Sequence, residues 1–138
     1  MGRGAFINKK AKGTAGERDI IHMFWDNGWA AIRSAGSGSC STPSPDILAG
    51  NNVRKVAIEV KITNSSSKYF PNEEIENLLV FARLFGAEAW VAVRFQKLDW
   101  LFINPEDLTL TQKGHSINIE KAKQIGLLFS ELIAKTSL

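Results

Sequence analysis

Two carboxylates and one ammonium in this chain stand where a pair of neighbouring strands would bring them together. The stretch Lys55 to Ile62 alternates: Val56, Ile58, Val60 and Ile62 fall on one side, and Ala57, Glu59 and Lys61 on the other. Glu59 and Lys61 thus share one side of a strand whose other side is apolar. For an isolated Glu-x-Lys, a solvent-facing ion pair is the commoner arrangement. Asp46 changes the balance. It starts the preceding strand directly after Pro45, and a turn at Gly50-Asn51-Asn52 would lay that strand beside Lys55 to Ile62. Asp46 and Glu59 then converge on one divalent cation. A hard cation such as Mg²⁺ takes oxygen ligands, commonly one or two carboxylates plus waters. Lys61 beside it can orient or activate a water, and attack of that water on phosphorus is phosphodiester hydrolysis.

Three further residues bear on this chemistry. Glu17 shares a helical face with Ile20, Ile21 and Phe24, so it points towards the sheet. It either closes a capping box with Thr14 or reaches the Asp46/Glu59 site, directly or through water. Arg33 and Ser34 end a short strand. An arginine there can hold a phosphate bidentately, the alternative being a surface arginine without a role. Arg18 is a further candidate for backbone contacts, which position DNA without reading its sequence. His22 and His115 have no spacing with Asp, Glu or Cys that suggests a zinc site, and no role is assigned to them.

These side chains need elements to carry them. Thr14-Ala-Gly-Glu17 reads as a helix start, with Thr14 as N-cap, and Asn27-Gly28 as the stop. Trp29 to Ser34 reads as a short strand, and the Gly-, Ser- and Pro-rich stretch 35–45 as a loop. Strands follow at Asp46 to Ala49 and Lys55 to Ile62, then a polar loop at Asn64 to Lys68. A helix over 72–85 is terminated by Gly86. Ala89 to Phe95 and Trp100 to Ile103 read as a strand pair, Asn104-Pro105 as a break. A strand near Leu108 to Leu110 and a helix near Ile119 to Ala134 complete the chain. This order predicts one α/β domain over 14–138, a central mixed sheet flanked by helices. The helix 72–85 is apolar around most of its circumference, so one stripe faces the sheet and the rest needs a partner subunit or another part of the chain to cover it.

Composition narrows the partners. The chain has 138 residues and is 44% hydrophobic and 22% charged, as an ordinary single domain is. It shows no membrane-length apolar run and no secretory leader, and Cys40 is its only cysteine, so a cytoplasmic protein without internal disulfides is expected. Residues 1–12 hold Arg3, Lys9, Lys10 and Lys12 and no acid, leaving thirteen bases against fourteen acids elsewhere. Residues 1–13 therefore read as a flexible basic arm for an anionic partner such as DNA, or as a solvated leader. Gln124-Ile-Gly-Leu127 has the start of a sliding-clamp-binding peptide but lacks its aromatic pair, so it reads as ordinary amphipathic helix.

Pro45-Asp46 with Glu59-Val60-Lys61 matches the Pro-Asp…(Asp/Glu)-x-Lys pattern of restriction-endonuclease-like nucleases. Gly-Glu-Arg-Asp (16–19), Arg-Ser-Ala-Gly-Ser (33–37), Pro-Asp-Ile-Leu-Ala-Gly (45–50), Ile-Glu-Val-Lys-Ile-Thr (58–63), Leu79 to Gly86, Ala-Val-Arg-Phe (92–95) and Trp100-Leu-Phe-Ile add to it. Together they resemble the archaeal-type Holliday junction resolvases, over residues 12–103. The resemblance implies a restriction-endonuclease-like fold and a catalytic set of Glu17, Asp46, Glu59 and Lys61, the three acids holding Mg²⁺, with Mn²⁺ as a substitute. It implies that Arg33 and Ser34 assist at the scissile phosphate and that Arg18 contacts DNA. It further implies a homodimer, with Phe81 and Phe85 near the interface, that makes paired cuts in four-way junctions. Proteins of replication or recombination are an open class of partner. The loop Gly38 to Ser44 is several residues longer than the family pattern. Another nuclease of the same superfamily, acting on linear or branched duplex, is the alternative reading, and a DNA-binding module without cleavage is a third.

Overall fold

The alternating strand that begins at Lys55 lies at the middle of its sheet. The computed structural model describes residues 2–34 and 42–135, with side chains from Gly13 onward. Strands β1 (Ala30–Arg33), β2 (Ile47–Gly50) and β3 (Lys55–Thr63) form an antiparallel meander. From β3 the chain passes through β4 (Ser67–Pro71) and helix α2 (Asn72–Phe85) to β5 (Glu88–Phe95), which pairs parallel to β3. Antiparallel β6 (Leu101–Ile103) follows, giving a mixed sheet of order β1-β2-β3-β5-β6. A strand in that position is covered on both sides.

Each face of the sheet has its own core. Helix α1 (Gly2–Asp26) packs on β1, β2 and β3. Its Ile20 and Phe24 meet Ile47, Ile58, Val60, Trp90 and Phe102. Burying each such aliphatic or aromatic side chain contributes about 1.5–3 kcal/mol. On the other face, Ile75, Leu78 and Ala82 of α2 meet Ala57, Val91, Val93 and Phe70. Helix α2 has Glu73 and Glu74 in its first turn and Arg83 in its last, which suits the helix dipole. It stops as expected at Gly86, whose φ of 82° is left-handed. No helix among the described residues is long and apolar enough to cross a membrane.

Four expectations about elements need correction. The first helix begins at Gly2, so Thr14 lies inside it and is not an N-cap. Ala5, Lys9, Lys10, Ala11 and Lys12 favour helix and extend the docked segment. The side chains of Arg3, Lys9, Lys10 and Lys12, and the loop from Gly38 as far as Ser41, lie outside the described residues. Second, the Asn64 to Lys68 loop is shorter than expected, because β4 begins at Ser67. Third, β8 (Gly114–Asn118) was not foreseen, although β7 (Thr109–Leu110) was. These strands form a small sheet of order β4-β8-β7 beside α2. Each of β4 and β8 buries a single large apolar residue, Phe70 and Ile117, so neither shows alternation. Fourth, the C-terminal helix is two helices, α3 (Ile119–Ile125) and α4 (Phe129–Ala134), and Gln124 to Leu127 spans the break. Leu127 pairs by both backbone groups with Phe102 at 2.8 Å, covering the edge of β6. A Cβ at Gly126 would stand 2.5 Å from the Ala122 carbonyl, so only glycine fits there.

Candidate active site

Sheet register carries three of the expected residues into one row. Ile47 faces Ile58, so Asp46, one residue before β2, faces Glu59. The Asp46 N–H donates to the Ile58 carbonyl at 3.0 Å, and the Ser34 N–H donates to the Asp46 carbonyl at 2.9 Å. Ser34, Asp46 and Glu59 are lateral neighbours, and such neighbours share a sheet face. That face is the one covered by α2. The Val60 N–H donates to Asp46 Oδ2 at 2.8 Å and fixes the carboxylate beside β3.

A cleft of about 390 Å³ opens at this end of the sheet, lined by Glu17, Ser44, Asp46, Glu59, Lys61 and Glu74 among others. Lys61 Nζ lies 3.8 Å from Glu59 Oε2 and 2.8 Å from Glu74 Oε1. Glu17 enters from α1, on the opposite side of the sheet. Gly16 lets the helix come that close, since a Cβ there would lie 2.7 Å from Ile62 Cδ1 and 3.1 Å from the Trp100 ring. The Glu17 carboxylate accepts from Arg33 Nε at 2.9 Å, so it makes an ion pair with β1 in place of the expected capping box. Ser34 Oγ donates to Ser44 Oγ at 3.3 Å. Arg18 is exposed on α1, outside the cleft lining.

The electrostatics show what this cleft lacks. Burial, then the Asp46 charge beside it, pushes the Glu59 carboxyl up to about 9, against the pull of Lys61. Burial also raises Asp46, although the Val60 N–H and Lys61 oppose it. Glu17 is raised by burial despite Arg33. For Lys61, burial pulls downward but the carboxylates of Glu74, Glu59 and Asp46 outweigh it, so the ammonium is held in its charged form. Two half-buried acids face each other with too little positive charge between them. Such a pair is satisfied by a cation or by a proton. The donors at hand are hard oxygens, which suit Mg²⁺ or Mn²⁺ better than zinc. Among the described residues no three Asp, Glu, His or Cys side chains converge closely enough to hold an ion by themselves. Two carboxylates completed by waters therefore fit the site, with Glu17 outside direct reach in this arrangement.

Sequence reading missed Glu74 and Asn77, which α2 adds to the cleft. The available signal was the Glu73-Glu74 pair at a helix start, but its direction depends on β4. On the same helix, farther from the cleft, the Phe81 and Phe85 rings stack with centroids 5.3 Å apart. Phe85 is 47% exposed, Leu84 78%, and Ile32 of the edge strand β1 63%. Phe85, Ile32, Ala30 and Leu48 line a shallow apolar cleft.

Known proteins resemble this chain along most of its length. The family model described as archaeal Holliday junction resolvase matches residues 8–137. A crossover junction endodeoxyribonuclease Hjc of Archaeoglobus fulgidus is 43% identical, covering 91% of this chain and 92% of that one. One of Methanocaldococcus jannaschii is 33% identical, covering 93% and 91%. The solved structure of the A. fulgidus Hjc, a Holliday junction resolvase from an archaeal hyperthermophile, superposes with a TM-score of 0.82 at 41% identity, over 87% of this chain and 98% of that one.

Proposed function

This chain belongs to the archaeal Holliday junction resolvase family, and from that premise we propose that it is a divalent-metal-dependent endonuclease that cuts four-way DNA junctions as a homodimer. The observation that carries the chemistry is the half-buried Asp46–Glu59 pair, face to face across β2 and β3 beside the Lys61 ammonium. Asp46 and Glu59 would hold the cation, and Glu17 would add its negative charge to the cleft. A bound Mg²⁺, or Mn²⁺ in its place, supplies Lewis-acid activation of the phosphorus centre and eases deprotonation of the attacking water. Lys61 orients the nucleophile and faces the negative charge that develops on the phosphate. Arg33, exposed along much of its side chain, and Ser34 hold the scissile phosphate. Arg18 and the bases Arg3, Lys9, Lys10 and Lys12 contact the DNA backbone, which supplies affinity more than sequence choice.

The exposed apolar surface of Phe85, Leu84 and Ile32, with the half-buried Phe81 ring stacked on Phe85, supports a second copy as its cover. A twofold dimer presents two like sites, as paired cuts in opposed strands require. The test compares cleavage of a labelled four-way junction with that of linear duplex of the same sequence, in Mg²⁺ and in EDTA. Paired nicks in the junction alone, abolished by EDTA, are expected. Equal cutting of both substrates would replace the resolvase with a general nuclease of the same fold. Cutting that survives EDTA would remove the metal.

A further inference from the structure

The lysine of this site is anchored outside the strand that carries it. Lys61 Nζ is 2.8 Å from Glu74 Oε1 on α2 but 3.8 Å from Glu59 Oε2, its neighbour on β3. Oε1 of Glu74 is buried and makes no aligned hydrogen bond among the described residues, so the Lys61 ammonium holds it as an ion pair. The carboxylate sits in the first turn of a fourteen-residue helix, where the dipole favours negative charge and the packed helix fixes its position. Ile75 and Leu78, one residue and one turn farther on, are buried against the sheet.

A lysine side chain is a compact charge on a flexible stem. Released from Glu74, the Lys61 ammonium would fall onto the nearest uncompensated charge, the Asp46–Glu59 pair. It would then occupy the place that a divalent cation needs. We propose that Glu74 is a positioning residue that draws the Lys61 ammonium off the Asp46–Glu59 carboxylates, leaving that pair open to a divalent cation while keeping the lysine beside it. This inference rests on the reading of Asp46 and Glu59 as the cation-holding pair. The acid on α2 thus acts on cation affinity through the lysine and not as a ligand.

A double-mutant cycle read by direct Mn²⁺ binding (calorimetry on the full chain, without DNA) separates the alternatives. Glu74→Gln should lower Mn²⁺ affinity about tenfold, the scale seen when a group supporting a metal site is removed. In a Lys61→Met background, where no ammonium can fall inward, the same Glu74→Gln change should cost less than about twofold. An equal loss in both backgrounds would overturn the proposal and make Glu74 a simple attracting charge or a ligand. No loss in either background would also overturn it. Asp46→Asn serves as the control on the underlying reading: it should abolish the binding. If Mn²⁺ binds Asp46→Asn as well as it binds the native chain, the cation site itself is misplaced and the proposal falls with it. If Asp46→Asn abolishes binding while the cycle shows no coupling, the site stands and only the role of Glu74 is refuted. Melting curves of each variant in EDTA verify that the compared proteins are folded; Glu74 is half-buried on the helix surface, and Glu74→Asp, which keeps the charge but shortens the reach, gives a second variant expected to lose affinity in the native background alone.

Discussion

The two ends of β3 each carry charge at least half withdrawn from solvent, and they treat it in opposite ways. Just before its first residue stands Arg54, 5% exposed, stacked over Trp29. Its guanidinium donates to both oxygens of Glu88 at 2.7 and 2.8 Å and to the carbonyls of Leu132 and Lys135 at 2.7 and 2.8 Å. Arg54 holds the Glu88 carboxyl below its ordinary value, aided by the Trp90 N–H. Four and six residues into the strand, Glu59 and Lys61 belong to a cluster of carboxylates with one ammonium among them, and Glu59 is driven up to about 9. One end is electrostatically complete and serves the fold. The other is incomplete and waits for something from outside. Burial alone does not distinguish a structural charge from a functional one; the state of its partners does.

The sharpest way to break this contrast is Glu59→Gln. Cleavage of junction DNA should fall by at least about a thousandfold, since a cation ligand supports several kcal/mol of charge stabilisation in the transition state. The same change should raise stability in EDTA at pH 8, by something on the order of 3 kcal/mol, because the native fold must take up a proton at Glu59 there and glutamine needs none. The fold lifts this carboxyl from 4.5 to about 9, so the stability present at low pH is lost as pH rises through that window. Denaturation in EDTA across pH 5–9 measures it. A Glu59→Gln chain that is less stable than the native one at pH 8 would place Glu59 among the structural charges.

Arg54→Met tests the opposite end. It leaves a carboxylate and two carbonyls without their donor and should cost about 3 kcal/mol, or roughly 10 °C in melting temperature. Cleavage per folded molecule should be unchanged. A loss of activity without loss of stability would show that the two ends are not separable.

The contrast also explains what could be read beforehand. The row Ser34, Asp46 and Glu59 was partly legible because alternation in β3 and the Gly50-Asn51-Asn52 turn are local signals. Helix α2 and its Gly86 stop were legible for the same reason. Arg54 gave no sign of its role, since its partners are 34, 78 and 81 residues away in sequence. Strands β4 and β8 were hidden because Phe70 and Ile117 are buried by pairing between distant segments. Glu74 stayed hidden although α2 was legible, because only the docking of α2 on β3 brings it to Lys61, thirteen residues earlier in the chain.

Two smaller effects sharpen the comparison further. Phe85→Ala lies outside both charged ends and should weaken self-association by about tenfold, with thermal stability of the monomer nearly unchanged. Sedimentation at micromolar concentration reads the first, and unaltered association would exclude Phe85 from the interface. Glu88→Gln should have the least effect, about 1 kcal/mol or less, because water screens this half-exposed carboxyl. Its pH dependence should run opposite to that of Glu59. A lowered carboxyl contributes stability at neutral pH that is lost as pH falls below the ordinary range, so the difference between native and Glu88→Gln chains should shrink in acid.

The reach of Arg54 also bears on how the chain is made. Arg54 stands in the turn between β2 and β3, yet two of the acceptors of its guanidinium, Leu132 and Lys135, are synthesised some eighty residues later. A nascent chain that has released only the meander and α2 holds a cation whose site is not yet built. Closing so long a loop is slow, because its entropy is lost before the contacts that reward it can form. Until residues 132–135 dock, that end of β3 lacks two of the acceptors of its cation, so the last short helix is the bolt that closes it.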